Sequence, residues 1–320
     1  MSSAPSEPAL LAAERPTGAQ IDLRRGGQRA VVTEIGAGLR SWSMDGEELL
    51  DTFAAADRAD SFRGRLLAPW PNRIRDGRYR FAGEEHRTAV TEPERSNALH
   101  GLVLDAAWRV VERAAGAVTL EHLLAPRPGY PFALRLRVVY ELGPDGLAVT
   151  LRATNLAERP APFGAGLHPY LRAAGGRIDE ALLEIPARTR VPVDARMLPT
   201  GPAVAVAGTE YDFTRARRIG TLALDTCFGD LDRGADGRAQ VRLAAGGGRA
   251  VTVWMDERFR YVHVYTADAV DDPARRRAGI AIEPVTCAPD AFNSGDGLLA
   301  LVPGGSFSGR WGLNTQREVQ

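Results

Sequence analysis

His168 and Glu283 are the residues whose type and setting most suggest proton chemistry. His168 lies in Gly164-Ala165-Gly166-Leu167-His168-Pro169-Tyr170, and Glu283 closes the apolar run Ile280-Ala281-Ile282-Glu283-Pro284. Each directly precedes a proline, which pushes the residue before it toward extended backbone. That limits where the two side chains can point, and a preorganised site needs such a limit. An X-Pro step also commonly ends a strand, so the local device alone does not assign a role. An imidazole and a carboxylate are ordinary partners in general acid–base catalysis.

The chain has five histidines, so each can be weighed. His86 and His122 sit in strand-like, polar-face contexts. His263 lies in Tyr261-Val262-His263-Val264-Tyr265-Thr266, where strand alternation accounts for it and a structural role is expected. His100 differs: in Asn97-Ala98-Leu99-His100-Gly101 the glycine ends a strand-like segment and leaves room for a ligand to approach. Arg73 follows Ala68-Pro69-Trp70-Pro71-Asn72, a segment too proline-rich for a central strand. Its guanidinium could be a fixed fork for sugar hydroxyls, or one half of a surface salt bridge. Asp225 is another acid inside an apolar stretch, Leu222-Ala223-Leu224-Asp225-Thr226-Cys227-Phe228. Trp70, Tyr170, Phe228 and Phe292 could stack on a sugar ring or fill the core.

The composition removes several rival chemistries. Lys and Arg together number 40 against 40 acidic residues, and all 40 are Arg. Without lysine, Schiff-base catalysis is excluded. With no basic excess, neither nucleic acid nor an electrostatic membrane anchor is expected as a partner. The two cysteines, Cys227 and Cys287, are too few for a disulfide framework and lack metal-site spacing. No stretch approaches 18 apolar residues and the N-terminus lacks a signal pattern, so a cytoplasmic protein is expected.

The elements that must position these residues read as strands nearly throughout. Residues 1–18, rich in Ala, Ser, Pro and Glu, read as a flexible tail, and 19–320 as one domain. Leu134, Leu136, Val138 and Tyr140 fall on one face, with Arg135 and Arg137 on the other. The turn Gly143-Pro144-Asp145-Gly146 follows, then Val149, Leu151 and Ala153, which makes a hairpin. Val241 and Leu243, a Gly246-Gly247-Gly248 break, then Val251 and Val253 read as a second. Further strands are expected at 29–35, 78–82, 108–113, 117–123, 260–266, 279–283 and 307–313. Only 273–277 and 288–293 could form a helical turn or two. Many short strands and frequent turns imply an all-β sandwich or barrel. Gly36-Ala37-Gly38 and Gly164-Ala165-Gly166 are therefore weak as phosphate loops.

Five segments together resemble the aldose 1-epimerase (galactose mutarotase) family. Pro71-Asn72-Arg73-Ile74-Arg75-Asp76-Gly77-Arg78-Tyr79-Arg80-Phe81 is similar to its Asn-Arg-Ile signature, and Leu99-His100-Gly101 to its Leu-His-Gly motif. Gly166-Leu167-His168-Pro169-Tyr170 resembles its His-Pro-Tyr segment, and the block from Glu283-Pro284 to Asp290-Ala291-Phe292-Asn293 its Glu-Pro stretch. Leu301-Val302-Pro303-Gly304 and Trp311 fit its C-terminal end. The five fall in family order.

The resemblance implies a single large antiparallel β-supersandwich of the galactose mutarotase-like type, with its site in an open cleft. It implies Glu283 as general base and His168 as general acid. His100, Arg73 and Asn72 would bind and polarise a monosaccharide, and Asp225 would hold hydroxyls. No metal and no cofactor are implied, and the protein would be a monomer or homodimer. Two positions depart from the pattern. Leu102 follows Gly101, where relatives acting on free aldoses often have a second glycine. Leu104 and Asp105 stand near where relatives acting on hexose 6-phosphates carry an arginine. A hexose-6-phosphate mutarotase and a non-catalytic carbohydrate-binding protein on the same scaffold are the alternatives. So are a metal hydrolase using His100, His168 and Glu283 and a glycosidase pairing Glu283 with Asp225.

Overall fold

Strand-period alternation carries through into the architecture. The computed structural model describes residues 15–173, 176–244 and 249–317. Two large antiparallel sheets dominate. The nine-stranded sheet runs Arg109–Ala114, Ala117–Leu124, Leu134–Leu142, Gly146–Asn155, Ser306–Arg317, Arg249–Met255, Ala239–Ala244, Leu182–Glu184, Arg217–Arg218. The eight-stranded sheet is centred on Asp225–Leu231, Tyr261–Tyr265 and Gly279–Val285, with Gly166–Leu167 and Leu66–Leu67 beyond them. A four-stranded sheet, Gln20 to Glu48, completes the N-terminal side.

One apolar core joins both large sheets. Leu134, Leu136, Val138, Tyr140, Val149, Leu151, Trp311 and Leu313 come from the first, and Phe228, Val262, Val264, Ile280 and Ile282 from the second. Burying one such side chain is worth roughly 1.5–3 kcal/mol. Truncating a fully buried one such as Ile282 costs about 2–5 kcal/mol once the cavity is counted.

The first expected hairpin forms with Leu136 opposite Ala153 and Val138 opposite Leu151. Gly146 closes its turn at φ +152°, and a Cβ there would collide with the Leu313 carbonyl. In the second, Val241 pairs with Val253 and Leu243 with Val251, while the Gly246-Gly247-Gly248 break lies outside the described residues. Among the described residues helix is confined to short turns, including Pro273–Arg275 and Ala291–Ser294. Most of the expected tail, residues 1–14, lies outside the described residues. Thr17, expected in that tail, is buried, and its carbonyl accepts from the Ile35 amide, so the fold begins before residue 19. Among the described residues no helix is long and apolar enough to cross a membrane.

Candidate active site

The middle of the eight-stranded sheet presents two chemically different faces. His263 lies opposite Glu283 on one side and opposite Cys227 on the other, and Asp225 lies opposite Tyr265. Because side chains alternate, Asp225, His263, Tyr265 and Glu283 share the face turned away from the core, while Val262, Val264 and Ile282 point into it. Directly opposed residues have Cβ atoms about 4.5–5.5 Å apart. The ladder itself therefore sets Glu283 beside His263, with Asp225 diagonal to His263 on the next strand.

His168 enters from the connection between Gly166–Leu167 and Tyr170–Arg172, both of which pair with Gly279–Val285. Its amide donates to Arg65 O at 3.1 Å and its carbonyl accepts from Gly64 N at 2.9 Å. Its Nε2 lies 3.2 Å from Glu283 Oε1, and both side chains are buried. The two pre-proline residues thus meet. Tyr170 stacks on the His168 ring at 5.1 Å with 14° between planes, and the Arg63 guanidinium lies over the Tyr170 ring at 4.5 Å.

His100 and Asn72 hold each other. Both adopt left-handed backbone, φ +60° and +55°, a region where His and Asn are enriched among non-glycine residues. The His100 amide donates to Asn72 O at 2.8 Å, and the Asn72 amide donates to His100 Nδ1 at 3.1 Å. A backbone N–H can only donate, so Nδ1 is unprotonated and neutral His100 carries its proton on Nε2. His100 is thereby fixed as a hydrogen-bond donor. Gly101 serves a different purpose from the one its sequence position suggests. At φ +84° a Cβ would collide with the Ala68 backbone, so the close approach is chain to chain, not chain to ligand.

The Arg73 fork is already largely occupied. Its Nε and Nη2 donate to the two Glu92 oxygens, each at 2.9 Å, and Nη1 reaches Asn72 Oδ1 at 3.4 Å. Glu92 also accepts from Arg95 Nη1 at 2.9 Å and Asn97 Nδ2 at 3.1 Å. Arg73 is therefore neither a surface ion pair nor a free fork; it is a buried cation held against the cleft by Glu92. Asp225 Oδ1 lies 2.6 Å from His263 Nε2, and Asn72 Nδ2 stands 3.5 Å from His263 Nδ1.

All six sequence-derived candidates, Asn72, Arg73, His100, His168, Asp225 and Glu283, line one cavity of about 220 Å³. Phe62, Glu92, Tyr170, His263 and Tyr265 line it too. His263, expected to have a structural role, is hydrogen-bonded to Asp225 and also lines this cavity between Asp225 and Glu283. Of the four aromatics that could stack on a sugar or fill the core, only Tyr170 lines the cavity. Trp70, Phe228 and Phe292 are buried, with Phe292 edge-on to Trp70 at 5.6 Å. His86 is buried as well, stacked on Tyr79 at 4.9 Å, and does not occupy a polar face. Among the described residues no cluster of three or more His, Cys, Asp or Glu is arranged to hold a metal ion.

Burial sets the proton balance. It raises the Glu283 carboxyl to about 8, against the opposing pull of His263, and lowers His168 to about 3, with the His263 charge adding to the effect. Burial and the neighbouring imidazole of His168 also hold His100 well below its ordinary value, hence neutral. Burial would lower His263 too, but its hydrogen bond to Asp225 and the charge of Glu283 outweigh that and raise it. Asp225 is correspondingly held down by His263 despite its burial. Around neutral pH, then, Glu283 and His168 share one proton, and the contact between His263 and Asp225 favours the charged form of each.

Comparison with known proteins identifies the family. A family model described as Aldose 1-epimerase matches residues 19–313. The protein YihR of Escherichia coli (strain K12), described as uncharacterized, is 34% identical over 292 residues, 90% of each chain. Galactose mutarotase of Homo sapiens is 28% identical over 175 residues, 53% of this chain and 50% of its own, so the chain matches about half the length of that relative. The solved structure of a GalM/aldose epimerase homologue from C. elegans matches with a TM-score of 0.84 at 20% identity, covering 94% of this chain and 99% of its own. Galactose 1-epimerase from Lactobacillus acidophilus NCFM matches with a TM-score of 0.80 at 21% identity, covering 94% and 95%. At these identities the two structures establish the galactose mutarotase-like fold. With the family model running through the whole sandwich, the chain belongs to the aldose 1-epimerase family of isomerases.

Proposed function

We propose that this protein interconverts the α and β anomers of an aldohexose by opening and reclosing the pyranose ring. The observation that carries the reading is the buried contact of His168 Nε2 with Glu283 Oε1 at 3.2 Å in a cavity lined by polar side chains.

In the reactive form the shared proton sits on His168, and Glu283 is a carboxylate. Glu283 takes the proton from the C1 hydroxyl. The electron pair on O1 forms the carbonyl, the C1–O5 bond breaks, and O5 takes the His168 proton. The products are the open-chain aldehyde, protonated Glu283 and neutral His168. Rotation about C1–C2 presents the other carbonyl face. His168 then removes the O5 proton as O5 attacks C1, and Glu283 returns its proton to O1. Protons and electrons balance within the pair, so no cofactor is required. His100, as a fixed Nε2–H donor, and Arg73 would bind sugar hydroxyls, and Asp225 would accept from others.

Polarimetry tests the reading. Freshly dissolved α-glucose and α-galactose, with their 6-phosphates, should relax to equilibrium faster in the presence of the protein for at least one free sugar. Binding without acceleration anywhere in the panel would instead establish a carbohydrate-binding protein on this scaffold. Acceleration confined to the phosphorylated sugars would assign the activity to hexose 6-phosphates.

A further inference from the structure

We propose that Arg63 is a positioning residue: its guanidinium, lying over the Tyr170 ring, holds that ring in the stack that sets the plane of the His168 imidazole. The inference rests on the reading of His168 as the acid of the mutarotase site.

Three imidazoles line the cavity, and two of them are turned by hydrogen bonds. His100 Nδ1 accepts from the Asn72 amide at 3.1 Å, and His263 Nε2 bonds Asp225 at 2.6 Å. His168 is the exception. Its Nδ1 is buried and has no hydrogen-bond partner on another residue among the described ones. Its Nε2 faces Glu283, but that contact gives way whenever Nε2 exchanges its proton with the substrate. A functional imidazole ordinarily takes its orientation from a bond at its second nitrogen. Here packing must supply it. Of the rings around His168, Tyr170 is nearly parallel to it, at 14°, whereas Phe62 and His100 meet it at 37° and 79°.

Tyr170 needs its own constraint. Its carbonyl accepts from the Asp51 amide at 2.9 Å, and its hydroxyl donates to Ser61 O at 3.1 Å. The hydroxyl lies on the axis about which the ring turns, so that bond leaves the torsion χ2 free, and χ2 of tyrosine is intrinsically broad. A flat group on the ring's face resists the rotation. The Arg63 guanidinium, 4.5 Å from the centroid, is such a group and gains a cation–π attraction there.

Arg63 can serve because it is itself fixed. It is buried, its Nε donates to Asp51 Oδ2 at 3.0 Å, and its Nη1 lies 2.9 Å from Asp60 Oδ1. Arg275 grips the other Asp51 oxygen at 2.6 Å. Gly279 makes room for Asp51, since a Cβ there would stand 2.7 Å from the Asp51 Cβ. The adjoining Gly64 and Arg65 carry the two hydrogen bonds that fix the His168 backbone. Residues 63–65 thus hold His168 directly by its main chain and, through Tyr170, by its ring. Arg63 does not line the cavity, so it acts at one remove from the substrate.

A double-mutant cycle tests this, read by polarimetry on the sugar that wild type accelerates most. Arg63→Met removes the cation and Tyr170→Leu removes the ring. Each should lower kcat about tenfold or more, and Arg63→Met should leave KM within about threefold, because lost orientation acts on the chemical step. In the Tyr170→Leu background, Arg63→Met should change kcat by less than about twofold. A direct effect of the Arg63 charge on His168, or a general loosening of the fold, would persist without the ring. Losses that multiply, or a loss carried by KM, therefore overturn the proposal. Arg63→Lys keeps a charge for Asp51 and Asp60 and guards against misfolding of the methionine variant. Lacking the planar fork, it should lose at least about threefold in kcat but less than Arg63→Met. Wild-type kcat in every folded Arg63 variant also overturns the proposal.

A second measurement needs no activity. With the histidines labelled with carbon-13, the His168 ring signals are those missing from the NMR spectrum of His168→Ala. Stacking on Tyr170 shifts them upfield by its ring current. In Arg63→Met and Arg63→Lys they should move downfield while those of His100 and His263 stay in place. Unmoved His168 signals overturn the positioning role whatever the activity. Moved signals in a protein that accelerates no sugar would support the positioning role and contradict the mutarotase reading alone.

Discussion

Glu283 and His263 face each other across neighbouring antiparallel strands, and on its other side His263 bonds Asp225 at 2.6 Å. This arrangement gives the buried base a cation held in place by a second acid. Burial pushes the Glu283 carboxyl up to about 8, and the His263 charge is the main influence pulling it back.

The Glu283–His168 pair is competent while it holds one proton. Burial places its two ends at about 8 and about 3, and the two values belong to the pair as a unit. The rate constant kcat/KM should be flat around neutrality and fall about tenfold per pH unit above about 8, as the pair loses its proton. Initial rates between pH 5 and 10 check this.

Substituting His263 should move that alkaline limb. In His263→Gln the cation that favours the Glu283 carboxylate is gone, so the limb shifts to higher pH. The neutral-pH rate falls at the same time, because less of the pair is in the Glu283-carboxylate form. A purely structural role for His263 would lower the rate without moving the limb.

Glu92 should matter through Arg73. Both side chains are 8% exposed and joined by two 2.9 Å bonds. Breaking such a pair from one side costs about 3–5 kcal/mol, because the remaining charge stays buried. Glu92→Gln should lower the unfolding free energy by about that amount in urea and raise KM more than it lowers kcat.

Stability should respond to pH in a direction set by Glu283. Its folded value, about 8, lies above the ordinary 4.5, so the folded state binds the proton more tightly than the unfolded one. That stability is fully present below about 4.5 and is lost as pH rises through about 8. Glu283→Gln cannot ionise and should retain it. Between pH 6 and 9 the variant should therefore melt at a progressively higher temperature relative to wild type.

Much of the fold is legible because a strand's period is visible in a single sequence. Leu134, Leu136, Val138 and Tyr140 announce their face without any partner. The site is legible only in part, since its residues converge through pairing that sequence order does not reveal. His168 and Glu283 stand out because prolines follow them. Glu92 carries the same mark, preceding Pro93, yet it lies in a polar stretch where an acid needs no explanation. His263 is masked by the very alternation that places it. The usable signal is that Tyr261, His263 and Tyr265 share one face while Val262 and Val264 make the other, so the histidine's face is not the core's.

The most direct test of the account removes the shared proton's two carriers. Polarimetric relaxation of a freshly dissolved α-anomer would be followed with wild type, Glu283→Gln and His168→Ala, with folding checked by circular dichroism. A positioned acid or base contributes roughly 10²–10⁴ in rate. Each substitution should lower kcat by that range while the fold persists. Wild-type rates in both folded variants would contradict the assignment of the pair.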